Sequence, residues 1–279
     1  MSTLTQVKGP TALGSDWRRF MRLTWVLAVT DFRLKFFGSV LGYLWQLIRP
    51  LMLFGVLYAV FSVFLNFTGP EKYYPVALLL GIVLFSFLAE ATGGSVRSVL
   101  TRESLVRKVD FPRLAVPMST VSTALFNLGV NLIPVLVFLL AAGGRPRWSW
   151  LEVPVLILFL LAFVIGLAML LSALFPRYRD VEPIWEVILQ VTFYATPIFY
   201  TVELVQQKSS EAVAQALMCN PFAAILQQFR HAFVDPSHKS PFEILDGGLI
   251  LIPFAIIVLV VVAGWIVFTR AAPRIAEEL

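Results

Sequence analysis

Long apolar stretches alternate along this chain with short segments that hold most of its lysine and arginine residues. A helix needs about 20 residues to cross the hydrocarbon core of a membrane. Five uncharged stretches approach or exceed that length, and a shorter sixth lies between Glu186 and Glu203. The pattern predicts an all-α integral membrane protein with six transmembrane helices, over residues 44–66, 73–95, 114–142, 151–175, 183–201 and 247–269.

The segment between the fifth and sixth predicted spans, residues 202–235, is apolar only in parts. Asn220, Pro221, Gln227 and Arg230 interrupt it, and an irregular backbone is not exposed to lipid. The segment therefore predicts short re-entrant or interfacial helices rather than a seventh span. The chain is too short for a membrane bundle with a separate soluble domain, so residues 1–279 predict a single domain.

The composition also indicates a membrane protein. Of the 279 residues, 58% are hydrophobic and 14% are charged, and the mean hydropathy is +0.82; a soluble domain of this kind could not cover itself with polar surface. With the N-terminus inside, cytoplasmic segments hold sixteen of the 22 Lys and Arg residues, and outer segments hold six. Because cytoplasmic loops are enriched in these residues, both termini are predicted to be cytoplasmic, which requires an even number of spans. The net charge of +5 then reflects topology, and nucleic acid is not an expected partner.

Residues 13–37 predict an amphipathic helix that lies in the cytoplasmic interface. Trp17 stands on the apolar face of the helical wheel, and Arg18 and Arg22 stand on the basic face. Leu41 and Gly42 follow where the chain must turn into the first span. An ordinary positively charged anchor with no further role fits the same composition.

The loop after the second span, from Arg97 to Arg113, carries both basic and acidic side chains. Its middle predicts a short helix with Thr101 as the N-cap and Glu103 in the first turn, and Pro112 ends it. Such a helix is either a solvated loop or a docking element for a cytoplasmic protein.

Candidate catalytic chemistry is sparse. His231, His238 and Cys219 do not make a convincing zinc site, and no phosphate loop exists because the chain has no Gly-Lys dipeptide. Glu90 is an acid near the cytoplasmic end of a span, where Arg97 is its expected partner. We expect no catalytic residue and no metal.

Four segments of the chain resemble the permease subunit of type-2 ABC exporters of polysaccharides and polyol phosphates. They occur in the order and at the topological positions that this family shows, and they cover most of residues 30–235. The resemblance rests on Gly38–Leu51, Leu105–Arg113 with Pro117, Arg177–Asp180 with Gln190, Thr196–Ile198 and Tyr200, and Asn220–Phe222 with Arg230.

This resemblance implies a homodimeric permease that works with two copies of a separate ABC ATPase subunit. The cargo would be a lipid-linked glycan or a teichoic-acid-like polymer, exported across the inner membrane of a bacterium. ATP and Mg²⁺ would be used by the ATPase, and this chain would bind no cofactor. The interfacial helix and the 101–113 loop would face the ATPase, with the coupling residues Arg102, Glu103, Leu105, Arg107, Lys108, Phe111, Pro112 and Arg113.

Aromatic residues of the first and fifth spans are candidates for the wall of a polymer channel. Aromatic rings suit the flat faces of sugars and allow sliding, although in membrane proteins they also face lipid or form interfacial belts. The candidates are Phe54, Tyr58, Phe61, Phe193, Tyr194, Phe199 and Tyr200.

Three other functions compete with glycan export. A type-2 ABC efflux permease for a small molecule or drug would share the fold. An ion-coupled transporter would need ionisable residues at midplane and inverted repeats, which the sequence does not offer. A membrane-embedded glycan-processing enzyme would need paired acids, but Asp180, Glu182 and Glu186 fit the first turn of a helix better.

Overall fold

A computed structural model describes residues 12–13, 16–36, 40–65, 73–103 and 111–273. These residues form helices joined by short turns, and no strand occurs among them. The helices are α1 (Trp17–Phe36), α2 (Val40–Tyr58), α3 (Tyr74–Thr101), α4 (Ala115–Ala141), α5 (Val153–Leu174), α6 (Val181–Ala195), α7 (Val202–Lys208), α8 (Glu211–Met218), α9 (Pro221–Phe229), α10 (Pro241–Ile244) and α11 (Leu251–Ala271). Two π-helical turns, Ala59–Phe64 and Arg230–Val234, extend α2 and α9.

Five segments are long and apolar enough to cross a membrane: Leu44–Phe64, Tyr74–Thr101, Ala115–Ala141, Trp148–Leu174 and Gly247–Ala271. They confirm the all-helical membrane architecture and coincide with five of the six predicted spans. The remaining predicted span corresponds to α6, whose 15 residues are fewer than a lone helix needs. A sixth crossing therefore stays a prediction.

Helix α6 and the residues after it follow α3 from one end to the other. Four contacts mark the path in order along α3, namely Arg97–Glu182, Thr92–Trp185, Phe85–Phe193 and Tyr74–Phe199. The distance from Tyr74 to Arg97 along α3 is roughly 35 Å at the usual helical rise. The chain covers it as a short helix and a tail that is extended at Thr196 (φ −84°, ψ 140°).

Helix α3 is the central helix of the bundle, in contact with α2, α4, α5 and α6. Its side chains are apolar nearly all round, as expected for a buried helix, and Leu80, Leu84 and Ala91 are fully buried. The hydroxyls of Thr92 and Ser95 donate to carbonyls four residues earlier at 2.6 and 2.7 Å. These polar groups are thus satisfied inside their own helix.

Helices α5 and α11 run parallel and touch backbone to backbone. A Cβ added at Gly166 would lie 2.8 Å from the backbone nitrogen of Val261, and one added at Gly264 would collide with the carbonyl oxygen of Gly166. Small residues permit such an approach between membrane helices. The two glycines therefore fix the point of closest contact between α5 and α11.

Helix α1 packs along α4 through a narrow stripe. Phe20, Thr24 and Ala28 are buried at a spacing of four residues, and the hydroxyl of Thr123 donates to the carbonyl of Ala28 at 3.2 Å. Trp17 lies beside this stripe and is exposed, so the buried face is narrower than the predicted apolar face.

Three expectations about local structure are wrong. Thr101 is not an N-cap, because α3 continues to this residue and its hydroxyl donates to the carbonyl of Arg97 at 2.9 Å. Leu41 and Gly42 lie in the first turn of α2 rather than in a turn before it. Glu90 does not pair with Arg97. The two residues are separated by about 10 Å along α3, and each forms an ion pair with a residue of another helix.

Residues 202–235 contain three short helices, α7 to α9, each opened by a side-chain cap. Thr201 accepts from the amide of Leu204 at 3.4 Å, Ser210 from that of Val213 at 3.4 Å, and Asn220 from that of Phe222 at 3.0 Å. Such caps satisfy amides that a helix leaves free at its start. Short helices are thus found where the sequence predicted them, and their depth in the membrane stays a prediction.

Candidate functional site

The end of the 101–113 loop is fixed inside the protein. Phe111, Pro112 and Arg113 are buried, and Arg113 donates a hydrogen bond to the carbonyl of Ala272, at the end of α11. Phe111 packs in one cluster with Phe20 of α1 and others of its neighbours. The predicted coupling residues Phe111 and Arg113 therefore anchor the end of the loop to α1 and α11.

The start of the loop is tied to α1 by charge. Arg102, directly after α3, forms an ion pair with Asp31 of α1. Lys35 of α1 forms a second ion pair with Glu90 of α3, whose Oε1 also accepts from Asn127 of α4 at 2.6 Å. Partly buried ion pairs are screened less than exposed ones. The two ion pairs therefore bind α1 to α3 at positions about 18 Å apart along α3.

Of the other residues predicted for the cytoplasmic side, some are exposed and some lie outside the described residues. Trp17, Arg18 and Arg22 are exposed on α1, and Glu103 is half-buried after the end of α3. Leu105, Arg107 and Lys108 lie outside the described residues, as does the side chain of Leu41. Their roles stay predictions.

Five of the seven predicted channel aromatics meet around one ring. The ring of Phe199 stacks on Phe61 at 4.7 Å between centroids and contacts Tyr200 at 5.2 Å. Phe193 and Tyr194 each lie 6.1 Å from it. The structure thus joins the end of α2 to the end of α6 through an aromatic cluster, residues 61, 193, 194, 199 and 200.

The other two predicted aromatics, Phe54 and Tyr58, form a separate pair on α2. Their rings stack at 5.7 Å, and Phe54 also contacts Phe138 of α4 at 5.7 Å. Sequence reasoning missed Phe138, and it missed Phe85, which contacts Phe193 at 4.9 Å. An aromatic residue inside an apolar run carries no signal that separates these positions from others.

Residues 196–200, an irregular segment without β pairing that we name the exit strand, are held by side chains from two elements. Arg230 donates to the carbonyls of Ile198 at 2.7 Å and Tyr200 at 3.4 Å, and the hydroxyl of Tyr74 donates to the intervening carbonyl of Phe199 at 2.9 Å. Arg230 is only 2% exposed. Buried backbone groups outside a helix need other hydrogen-bond partners, and these two side chains supply them.

The packing at the exit strand is also close. A Cβ at Gly81 of α3 would lie 3.2 Å from the side chain of Ile198, and Ile198 itself is fully buried. The exit strand therefore rests against the first two turns of α3 and places the ring of Phe199 next to the π-helical turn that extends α2.

The charged residues near the exit strand affect the pKa of a buried histidine, His238. Burial, and next the positive charge of Arg230, lower the pKa of His238, while Glu203 and Asp235 raise it. His238 is accordingly neutral around pH 7. Its Nε2 is buried with no hydrogen-bond partner among the described residues.

One face of α6 is left uncovered by the described part of the chain. Glu186 and Gln190 are exposed on it, and Tyr194 is 67% exposed. Polar side chains within a membrane face water or another protein surface rather than lipid. The crossing predicted for this segment would therefore place the face against a water-filled path or a second protein chain.

Comparison with known proteins gives one consistent result. Residues 22–234 match the family described as ABC-2 type transporter. The chain is 27% identical over 253 residues to the O-antigen export system permease protein RfbA of Myxococcus xanthus, covering 91% of this chain and 94% of that protein. It is 25% identical over 255 residues to the protein of the same name from Klebsiella pneumoniae, covering 91% and 93%.

Proposed function

The chain belongs to the ABC-2 type transporter family, and from this premise we propose that it is the permease subunit of an ATP-driven polysaccharide exporter. Its cargo is a lipid-linked polysaccharide of the O-antigen class, moved across the inner membrane of a bacterium. The observation that carries the proposal is the similarity to O-antigen export permeases over 91% of the chain. The aromatic cluster supports it, because aromatic rings bind sugar faces with weak directional preference.

The energy enters from another chain in this proposal. Two copies of a separate ABC ATPase bind ATP and Mg²⁺, and this chain binds no cofactor. Residues 104–110 contact the ATPase, and the fixed flanks support that role: Arg102 is bound to α1 and Phe111 is buried beside it. A displacement of residues 104–110 would be transmitted to α1, α3 and α11 together.

The proposed topology has six crossings with both termini cytoplasmic. Support comes from the path of residues 181–199 beside α3, which extends over roughly 35 Å, more than the hydrocarbon thickness of about 30 Å. Together with five long helices, this path makes the number of crossings even. The exit strand and the helices α7 to α10 then lie on the outer side.

Two copies of the permease form the translocation path in this proposal. The uncovered face of α6, with Glu186, Gln190 and Tyr194 exposed, lines it opposite a second copy. The aromatic cluster lies at its outer end, and Phe54 and Tyr58 continue the aromatic surface along α2.

Deletion of the gene in its host tests the function. Lipid-linked polymer should accumulate inside the cell while the polysaccharide disappears from the surface, as measured by immunoblotting and by extraction of the lipid fraction. Plasmid-borne protein should restore export and should co-purify with an ATPase. Normal surface polysaccharide together with a new sensitivity to drugs would instead support the small-molecule efflux permease.

A further inference from the structure

A cavity opens between α5 and α11 at the end where both helices begin. The two helices touch at Gly166 and Gly264 and leave a wedge toward their N-terminal ends, where α9 and α10 form its other walls. The rings of Phe159 and Phe254 meet at 5.3 Å in its wall. The volume of the cavity is about 350 Å³, within the range of small-molecule sites.

The lining is almost entirely apolar. The walls include Val155, Phe159, Ala224, Ile225, Phe254 and Ile257. The polar lining residues are Glu152 and Gln228, where the amide of Gln228 donates to the carboxylate of Glu152 at 2.8 Å. Among the described residues Glu152 pairs with no Lys or Arg. The cavity is therefore an apolar slot with a carboxylate at one end.

The slot lies at the depth where lipid chains meet their headgroups. It is lined by the first turns of two membrane-spanning segments, and the aromatic residues Trp148 and Phe242 are exposed beside it. Exposed aromatic residues at the ends of spans mark the interface. On the proposed orientation this is the outer leaflet.

The slot faces lipid rather than a second copy of the chain. Neighbouring residues on the two helices, among them Val155, Leu251 and Val258, are exposed and aliphatic. No charged residue occurs from Leu249 to Thr269, in contrast to the uncovered face of α6. An apolar cavity open to the membrane is filled by hydrocarbon, because an open apolar void forgoes dispersion contacts.

We propose that this slot binds one acyl chain of an outer-leaflet phospholipid with a primary ammonium headgroup, phosphatidylethanolamine. The carboxylate of Glu152 lies at the headgroup end and favours a cation over an anion. A primary ammonium can also donate hydrogen bonds to this carboxylate, which a quaternary ammonium cannot. The bound chain fills the wedge and connects α9 and α10 to the two spans. The proposal takes only the leaflet from the proposed function, because the slot itself is a property of the folded chain.

Native mass spectrometry of the purified protein tests the site, after reconstitution with equal amounts of phosphatidylethanolamine, phosphatidylglycerol and phosphatidylcholine. Wild type should retain one phospholipid and prefer phosphatidylethanolamine about fivefold over each of the others, a difference of about 1 kcal/mol. Phosphatidylglycerol has no cation for the carboxylate, and the quaternary ammonium of phosphatidylcholine has no N–H group to donate. Val155→Trp, at a half-exposed lining residue, should lower retention about tenfold by filling the slot. Leu158→Trp on the same helix lies outside the lining and should retain lipid as wild type does.

Glu152→Gln separates the headgroup from the chain. The variant keeps a side chain that hydrogen-bonds Gln228, so it should retain one lipid but lose the preference for phosphatidylethanolamine. Equal retention by Val155→Trp and Leu158→Trp would mean ordinary annular lipid and overturn the site. Selective retention of an isoprenoid lipid or of phosphatidylglycerol, or retention of phosphatidylcholine by wild type at least equal to that of phosphatidylethanolamine, would overturn the assigned occupant. None of these measurements involves export, so the proposed function can fail in the deletion experiment while this site stands.

Discussion

Replacement of Arg230 is the most informative test of the outer region. Its guanidinium holds the carbonyls of Ile198 and Tyr200, and no other residue type presents two donors in such a rigid fork. Arg230→Lys keeps the charge and one donor direction. Arg230→Gln removes the charge and leaves the carbonyls of the exit strand without their strongest donor.

The expected size of the effect follows from these two bonds. A hydrogen bond from a charged donor contributes about 1.5–3 kcal/mol, and the 3.4 Å bond to Tyr200 contributes less than the 2.7 Å bond to Ile198. Arg230→Gln should therefore lower the free energy of opening the exit strand by about 2–4 kcal/mol. Arg230→Lys should lower it by about half as much. Since 1.4 kcal/mol is about a factor of ten, the open population rises at least about twentyfold in the glutamine variant.

Hydrogen–deuterium exchange in nanodiscs measures that population directly. The amide of Ile198, bonded to the carbonyl of Thr196 at 2.7 Å, reports on the middle of the exit strand, and the amide of Leu204 reports on the first turn of α7, directly after it. Arg147→Lys is the matched control, because Arg147 makes only a partly exposed ion pair with Asp235 at 3.7 Å, worth about 0–1 kcal/mol. Exchange in Arg230→Gln no faster than in Arg147→Lys would refute the role of Arg230.

Four further predictions concern other parts of the chain. Burial and Arg230 lower the pKa of His238. Its neutral form therefore stabilises the fold above pH 6.5, and that contribution to stability is lost as the pH falls toward the pKa of the folded state. The melting temperature should fall between pH 7 and pH 5 in wild type and should fall less in His238→Gln. Gly264→Ala should lower the melting temperature, since overpacking costs about 1–3 kcal/mol, whereas Gly55→Ala, with nothing within 4 Å of the added Cβ, should not. Replacing Phe54, Tyr58 and Phe61 together by Ala should lower polymer export without lowering basal ATPase activity, and unchanged export would remove this surface from the path. Charge reversal at Arg107 and Lys108 should leave insertion intact but uncouple ATP hydrolysis from export, and wild-type transport would refute their docking role.

The spans were predictable because a helix must be long and apolar enough to cross the hydrocarbon core, and such stretches are visible in the sequence. The predicted range 151–175 differs by only a few residues from Trp148–Leu174. The same criterion could not describe α6, because its helix ends at Ala195 and the rest of the path is extended. The pattern of apolar residues does not show that Pro197 and Ile198 leave the helix, since their backbone partners come from distant parts of the chain.

Partners of charged residues were harder to predict than helices. Glu90 meets Lys35, which lies 55 residues earlier, and Arg113 meets a backbone carbonyl 159 residues later. A carbonyl oxygen has no sequence signature, and charge alone does not choose among cations of similar depth. The candidate aromatics were found because their residue type is visible, but the sequence could not show that Phe199 is their centre.

In the proposed topology, helix α3 would connect events on the two sides of the membrane. Its C-terminal half carries the ion pairs to α1 and α6 through Glu90 and Arg97, and its N-terminal half holds the exit strand through Tyr74 and Gly81. A continuous hydrogen-bonded helix of 28 residues is expected to move as a unit. A displacement of α1 by the proposed ATPase would therefore either carry the exit strand with α3 or break one of the contacts that join them. Arg230 would oppose the movement of the strand, because it ties the strand to the π-helical turn after α9.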